Sequence, residues 1–554
     1  MAGPRIYASA SKIEAVRGQS VARFVLNGIE RCLAVDSTFK DKAAVTCAVS
    51  GRTLRYGEVS GRVASAAARL KAGTVLLHLP NCPEYPVALF GAFAAKCRVT
   101  TSNVQYGPKE IAHQIRDASV TSVLTVPEFR DVCREAAVQD DERGVEVHCL
   151  GDESPVALVD EEFRHHLKNA AAELLPEAEE EKDFFDGSTV AALPYSSGTT
   201  GLPKGVMLSH TAVATNLRQA EAFFFGDCDV LDRNSLSRGD VAARDVFYGV
   251  LPFSHIYGAA NVLCASLLRG ATLVSVPKFD PSTFLRDLAT YEVSVAHLVP
   301  PLVVFLAKQD PFAKLPALKG IFSGAAPLDG QTQKTVEERY GVKFFQIYGM
   351  TEASPLTHGD LKGRHGTVGE LVPSTECRVV ASVCDDTGVA EDVQSERDPG
   401  ELLVRGPQLM SGYLNNPEAT RRALLPGGWL RTGDVVVAND DQTFTIVDRV
   451  KDLIKVKGLQ VSPAELEGIL LQHPLVRDAA VVGRPCDRNG ELPHAFVVGG
   501  GDDLKVDDLV AFVDGHVAPY KRLSADRISV LPAIPKTASG KILRRHLQDG
   551  LLRR

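Results

Sequence analysis

Tyr195-Ser196-Ser197-Gly198-Thr199-Thr200-Gly201-Leu202-Pro203-Lys204-Gly205, directly after the short apolar run Val190-Ala191-Ala192-Leu193, is the most informative stretch of this sequence. Its three glycines allow a tight backbone turn and bring amide groups close to an anion. The hydroxyls of Ser196, Ser197, Thr199 and Thr200 add donors, and Lys204 adds a fixed positive charge. Together they suit a polyphosphate. The pattern is not the P-loop of kinases and ATPases, which needs Ser or Thr after its lysine to serve Mg²⁺. Here Lys204 is followed by Gly205.

Outward from this loop, short Val/Ile/Leu-rich runs alternate with longer amphipathic stretches. Gly73 to Leu79 and Ala271 to Val276 read as buried strands, and Pro281 to Tyr291 and Gln331 to Tyr340 as helices. That alternation predicts an α/β fold with parallel sheets covered by helices. An acidic stretch from Glu173 to Asp186 reads as a solvated linker ahead of the loop. After about Leu371 the texture changes to short strands and polar turns, and a boundary is expected near Asp448 to Asp452. Beyond it Ser462-Pro463-Ala464-Glu465 reads as a helix start, with Ser462 as cap, Pro463 at the first position and Glu465 closing a capping box. The expected division is residues 27–449 and a small α+β unit over 450–550.

Bulk properties narrow the function classes. At 554 residues the chain exceeds one hydrophobic core, and 45% apolar with 23% charged residues is ordinary for a globular protein. A net charge of -8 argues against a general nucleic-acid binder. The eleven cysteines form no CxxC pair, so neither a zinc site nor a disulfide framework is expected, and a reducing compartment is. The run from Gly73 to Val99 is interrupted by Pro80, Pro83 and Pro86, so no transmembrane segment is expected. A cytoplasmic location is the default. Arg5, Lys12 and Arg17 leave organelle import open, Glu14 opposes it, and the chain lacks a terminal Ser-Lys-Leu.

The loop from Tyr195 to Gly205 resembles the phosphate loop of the adenylate-forming superfamily of acyl-CoA synthetases, luciferases and adenylation domains, and its surroundings are similar to 4-coumarate:CoA ligases. The resemblance runs from about Asn27 to Leu547. It implies a large N-terminal domain of two helix-covered, mostly parallel sheets with a small β-barrel-like subdomain, and a small mobile C-terminal lid. It implies ATP, Mg²⁺ and coenzyme A as the partners of a small carboxylic acid, with no nucleic acid, in a monomer or homodimer.

Carried over by motif, Ser323-Gly324-Ala325-Ala326-Pro327 would pack the adenine, and Gln346-Ile347-Tyr348-Gly349-Met350-Thr351-Glu352 would hold the α-phosphate through Thr351 and Mg²⁺ through Glu352. Asp434 and Arg449 would hold the ribose, and Lys451 would be the hinge. Lys455 and Gln460 would serve adenylation, Lys278 and Lys457-Gly458 coenzyme A. His255, in Pro252-Phe253-Ser254-His255, would gate the acid pocket, and an unperturbed histidine titrates near neutrality. Lys541, after Pro535-Lys536-Thr537-Ala538-Ser539-Gly540, would stabilise charge developing on the α-phosphoryl oxygens.

These residues imply an ATP-dependent, AMP-forming acyl-CoA ligase. A medium-chain fatty acyl-CoA synthetase and a luciferase-like oxygenase share its first step. A catalytically dead nucleotide binder is disfavoured because Lys541, Thr351 and Glu352 are all present. Only thirteen residues follow Lys541, so a carrier domain is not expected and coenzyme A is the favoured acceptor. The acid pocket would be walled by Tyr257, Asn261, Phe322, Ile347, Gly349, Pro355 and Leu356. Phe322 and Ile347 stand where 4-coumarate:CoA ligases carry methionine and glycine, so added bulk is expected there. A short or medium apolar acid, or an aryl acid in a reshaped slot, fits that wall.

Overall fold

In the computed structural model, residues 4–139, 144–150, 187–196, 203–225, 245–309, 314–385, 387–395, 397–457, 459–486, 488–499, 504–537 and 540–552 are described. The expected acidic linker lies outside them, as do the phosphate-loop residues Ser197, Gly198, Thr199 and Thr200, together with Gly458, Ala538 and Ser539.

Two sheets form the body of the molecule. In the first, of eight strands, Arg98–Thr101, Thr74–His78, Val120–Thr125 and Glu146–Cys149 run parallel. All five residues of Thr74–His78 are buried, as expected of a strand covered on both faces. Strand Lys204–Ser209 is antiparallel to Val190–Ala192 and Tyr195–Ser196, and Ser196 lies opposite Lys204. The two strands that flank the phosphate loop are therefore paired with each other, and the one that follows it is a strand and not a helix.

The second sheet has nine strands, and five successive pairings, from Lys343–Gly349 to Ala43–Cys47, are parallel. Strand Val246–Gly249 is its switch point, since Thr272–Ser275 pairs on one side and Val295–Leu298 on the other. Ligands of open α/β sheets sit beyond the carboxyl ends of strands at such a point. Here those ends lead to His255, Pro300, Ala325 and Thr351, all of which border one cleft.

A third sheet, of seven strands in antiparallel pairing, forms the small β subdomain. Its strands Trp429–Ala438 and Phe444–Arg449 set Asp434 directly opposite Arg449. The fourth sheet, with helices Pro463–Gln472, Val506–Asp514 and Arg544–Leu552, makes the C-terminal unit. That unit has its own core, which includes Val461, Leu466, Val481, Val497 and Leu509. It sits docked on the body: Lys308 Nζ donates to the Val476 carbonyl at 2.7 Å, and Gly540 lies against Val299 and Pro301. Among the described residues no helix is long and apolar enough to cross a membrane.

Two local expectations need correction. The helix expected from Pro281 begins at Phe284, because Asp280 accepts from the Ser282 amide at 2.8 Å and folds the preceding residues into an Asx turn. Ser462 does cap its helix, accepting from Glu465 N at 3.2 Å. Glu465 does not complete the box: both its carboxylate oxygens bind Lys521 Nζ at 2.7 Å.

Glu467 on the same helix is 8% exposed and pairs with Arg544, which also meets Asp452 at 3.4 Å. It further accepts from the Val481 amide at 2.7 Å. Removing it leaves a half-buried guanidinium and a buried amide short of an acceptor. Glu467→Ala should therefore lower the stability of the C-terminal unit by about 3 kcal/mol, read as an earlier unfolding transition in urea. A change below about 0.5 kcal/mol would contradict it.

Candidate active site

The body and the C-terminal unit enclose a cleft of about 1970 Å³. Lys541 reaches it from a turn in which the Gly540 amide donates to the Thr537 carbonyl at 2.9 Å and the Lys541 amide to Thr537 Oγ1 at 3.1 Å. Lys536 anchors that turn, binding both Asp478 oxygens at 2.7 and 2.8 Å. Burial, and next the charge of Arg449, hold the Lys541 ammonium below the ordinary lysine range, while Glu352 and Asp434 pull the other way. The half-buried lysine thus shares one cleft with two carboxylates and an arginine, where a charge acts more strongly than in bulk water.

Asp434 is 7% exposed, accepting from Tyr348 Oη at 2.6 Å and from Arg449 Nε at 3.3 Å. Burial raises its carboxyl pKa and Arg449 opposes the rise. Glu352 is 6% exposed and its Oε1 accepts from Tyr413 Oη at 2.9 Å. Thr351 and Glu352 stand on a single turn where strand Lys343–Gly349 ends. One hard oxygen donor set of this kind suits Mg²⁺, which keeps most of its waters and takes one or two protein carboxylates. Among the described residues no cluster of three or more metal-ligating side chains exists that would favour a tighter-coordinating ion.

Gln346 is fixed by Gln333 Oε1, 2.9 Å from its Nε2. Gly324 has no room for a side chain: a Cβ would sit 2.7 Å from the Ile347 carbonyl oxygen. Ala325 follows in the left-handed region at φ 74°, so the turn exposes backbone at the cleft wall. Ser196 and Lys204 border the same cleft, and the Lys204 ammonium lies 5.2 Å over the Tyr413 ring.

His255 is half-buried beside the cleft, and burial, then Lys541, lower its pKa to about 3. It is a neutral imidazole at physiological pH, not a group poised to titrate near neutrality. Lys451 borders the cleft. Lys278, Lys455, Lys457 and Gln460 are exposed and do not line it; Lys455 and Gln460 face each other across the hairpin Ile454–Val461.

The acid-pocket residues divide. Ile347 and Gly349 line the cleft, while Tyr257, Asn261, Phe322, Pro355 and Leu356 are buried behind it. Phe322 stacks between His297 at 4.8 Å and Phe345 at 4.9 Å, its cross-strand neighbours. Its bulk is taken up by this ring stack, and of the two substitutions only Ile347 borders the cleft. Sequence reasoning missed Tyr413, which fixes Glu352, and Asp117, which accepts from Tyr195 Oη at 2.5 Å. It also missed His297, whose Nδ1 lies 3.3 Å from Tyr257 Oη. These partners are 61, 78 and 40 residues away in sequence, and no spacing rule links them.

Comparison with known proteins agrees with this arrangement. Residues 34–414 match the model of the AMP-binding enzyme family, and residues 465–541 that of the AMP-binding enzyme C-terminal domain. The chain is 36% identical over 534 residues to 4-coumarate–CoA ligase 2 of Petroselinum crispum, covering 93% of this chain and 92% of that protein. It is 37% identical over 492 residues to 4-coumarate–CoA ligase 1 of Arabidopsis thaliana, covering 86% and 83%. In fold it is similar to an anthranilate CoA ligase in complex with anthranoyl-AMP, with TM-score 0.78 at 22% identity over 95% of this chain and 96% of that one. A benzoate CoA ligase from Burkholderia xenovorans gives TM-score 0.74 at 22% identity over 96% and 100%. The chain belongs to the family of AMP-binding enzymes, in the adenylate-forming superfamily of acyl-CoA synthetases.

Proposed function

We propose that the protein is an ATP-dependent, AMP-forming acyl-CoA ligase that makes an acyl-adenylate and passes the acyl group to coenzyme A. The observation that carries this is Lys541, which the docked C-terminal unit brings into the cleft that Glu352, Asp434 and Arg449 also line. A carboxylate oxygen of the acid attacks the α-phosphorus of ATP, and the bond from that phosphorus to the bridging oxygen breaks. Lys541 faces the negative charge that grows on the α-phosphoryl oxygens, so its contribution is largest in the transition state. Thr351 donates to the same phosphoryl group, and Asp434 with Arg449 orients the ribose. Gln346, Tyr348 and the 324–326 turn frame the nucleotide. Glu352 would hold Mg²⁺, which neutralises phosphate charge when bound.

In the second half the coenzyme A thiolate attacks the acyl carbonyl carbon, the acyl–oxygen bond breaks and AMP leaves. Lys278, Lys457 and Gly458 are assigned to coenzyme A. Because Lys278 and Lys457 lie off the cleft in the docked arrangement, the unit 450–550 must turn about Lys451 relative to 27–449 for this step. Lys455 and Gln460, also off the cleft, act in the same turning hairpin. His255 serves as a neutral gate between cleft and acid pocket.

The acid we propose is an aryl or short to medium apolar acid, since the buried pocket residues Tyr257, Asn261, Phe322, Pro355 and Leu356 include no cationic side chain. The 4-coumarate–CoA ligases among its relatives favour the aryl class. Free thiols, most of them buried, support a cytoplasmic setting. The test is pyrophosphate release over a panel of fatty, cinnamic and benzoic acids, with and without coenzyme A. Acid-stimulated release followed by thioester is expected. Release without any thioester would remove the ligase half, and no release with any acid would remove the adenylation half.

A further inference from the structure

A second cavity, of about 490 Å³, lies where helices Val21–Val35 and His210–Phe225 meet the chain at residues 15–19. No residue lines both it and the catalytic cleft, and its size is that of a small-molecule site. Phe24, Gly28 and Arg31 follow one another at four and three residues along one face of the first helix. At Gly28 a Cβ would sit 2.7 Å from the Leu268 carbonyl oxygen, so this face packs hard against Leu268, which lines the cavity with Phe24 and Arg31. Arg218 and Glu221, one turn apart, line it from the second helix. The N-terminal chain is tied across that helix: the Val16 amide donates to Thr215 Oγ1 at 2.9 Å, and Arg218 Nη1 donates to the Glu14 carbonyl at 3.4 Å. Arg17, one of the cations that left organelle import open, thereby reaches the same wall.

The charge of this cavity is one-sided. Glu221 is its one acidic lining residue and is committed to Arg269 at 2.9 Å. Arg17, Arg31 and Arg218 pair with no carboxylate among the described residues. We propose that the cavity binds a phosphate monoester, its phosphate on Arg17, Arg31 and Arg218 and its organic group against Phe24 and Leu268. A guanidinium presents paired N–H donors that match phosphate oxygens, and such charge-assisted bonds are roughly twice as strong as neutral ones. A dianion answers three cations better than a carboxylate does. The Phe24 ring and Leu268 offer an organic group an apolar surface that inorganic phosphate does not use.

The test is hydrogen exchange of the whole protein titrated with phenyl phosphate, benzoate, inorganic phosphate and AMP, read peptide by peptide. Phenyl phosphate should slow exchange in the peptides that carry residues 14–24 and 210–221. The three arginines are exposed, so Arg17→Gln, Arg31→Gln and Arg218→Gln should each leave the melting temperature of the free protein unchanged. Each should raise the phenyl phosphate concentration for half-maximal protection about tenfold, the loss of one charge-assisted contact. No protection of these peptides, or protection that survives all three replacements, overturns the site. Equal protection by benzoate overturns the phosphate, and equal protection by inorganic phosphate overturns the role of Phe24 and Leu268. Protection by AMP as well as phenyl phosphate supports the site with a nucleotide as its occupant, and protection by phenyl phosphate alone supports it with another monoester.

Discussion

Replacing Lys541 by alanine is expected to slow acyl-adenylate formation about 100-fold or more, while thioester formation from pre-formed acyl-AMP stays within a few-fold of wild type. The asymmetry follows from where the lysine sits. It is half-buried in the cleft that Glu352 and Asp434 also line, and two other lysines bordering that cleft, Lys308 and Lys536, are committed to the Val476 carbonyl and to Asp478. Alanine removes the donor without leaving an unpaired carboxylate, since Asp434 keeps Tyr348 and Arg449 and Glu352 keeps Tyr413. The fold should therefore survive, and an unchanged melting temperature is the control. The lowered pKa also has a consequence: Lys541 loses its proton at lower pH than a free lysine, so the alkaline fall of adenylation begins earlier. Single-turnover rates of both half-reactions decide it. Equal losses in both would remove Lys541 from the adenylation step.

The second large effect concerns acid. His78, His210, His297 and His358 are at most 5% exposed. Burial lowers the pKa of His78 to about 4 and those of the other three to about 3. Each already uses Nδ1, against Ser102, the Val21 amide, Tyr257 and Thr357 respectively, in packed surroundings where an imidazolium would be poorly solvated. Unfolded, these histidines take up a proton near pH 6.5; folded, they do not until pH 3–4. Stability they contribute is thus intact above about pH 6.5 and lost as pH falls from there toward the folded values. Each withdraws up to about 1.4 kcal/mol per pH unit, so the four together cost about 4–6 kcal/mol by pH 5.5. Urea unfolding at pH 7.5, 6.5 and 5.5 should show this slope, and His358→Gln should reduce it by one proton's worth. Stability that is flat from pH 7 to 5.5 would refute the assignment.

The acid prediction shows where sequence reading stops. Nothing around His358 or His78 in the sequence distinguishes a buried neutral imidazole from a surface one. Periodicity located strands Thr74–His78 and Thr272–Ser275 well, because a strand covered on both faces must be apolar throughout. It placed the start of the helix at Pro281, where the Asp280 side chain competes for the first amides. It completed a capping box at Ser462 that a long-range partner, Lys521, took apart.

The phosphate loop bears the same division. From the sequence alone, its glycines, hydroxyls and Lys204 fixed a polyphosphate ligand and the adenylate-forming resemblance, because backbone freedom and charge are properties of a contiguous segment. So too did the order of the motifs that end at Lys541, since each carries its own local chemistry. Only the tertiary structure decided that Lys541 enters the cleft lined by Asp434 and Glu352, and that His255 is neutral. Only it decided that Phe322 spends its bulk on a ring stack. Those properties arise from burial and from charges tens to hundreds of residues apart. They exist only once the sheets and the C-terminal unit have closed around a common low-dielectric cleft.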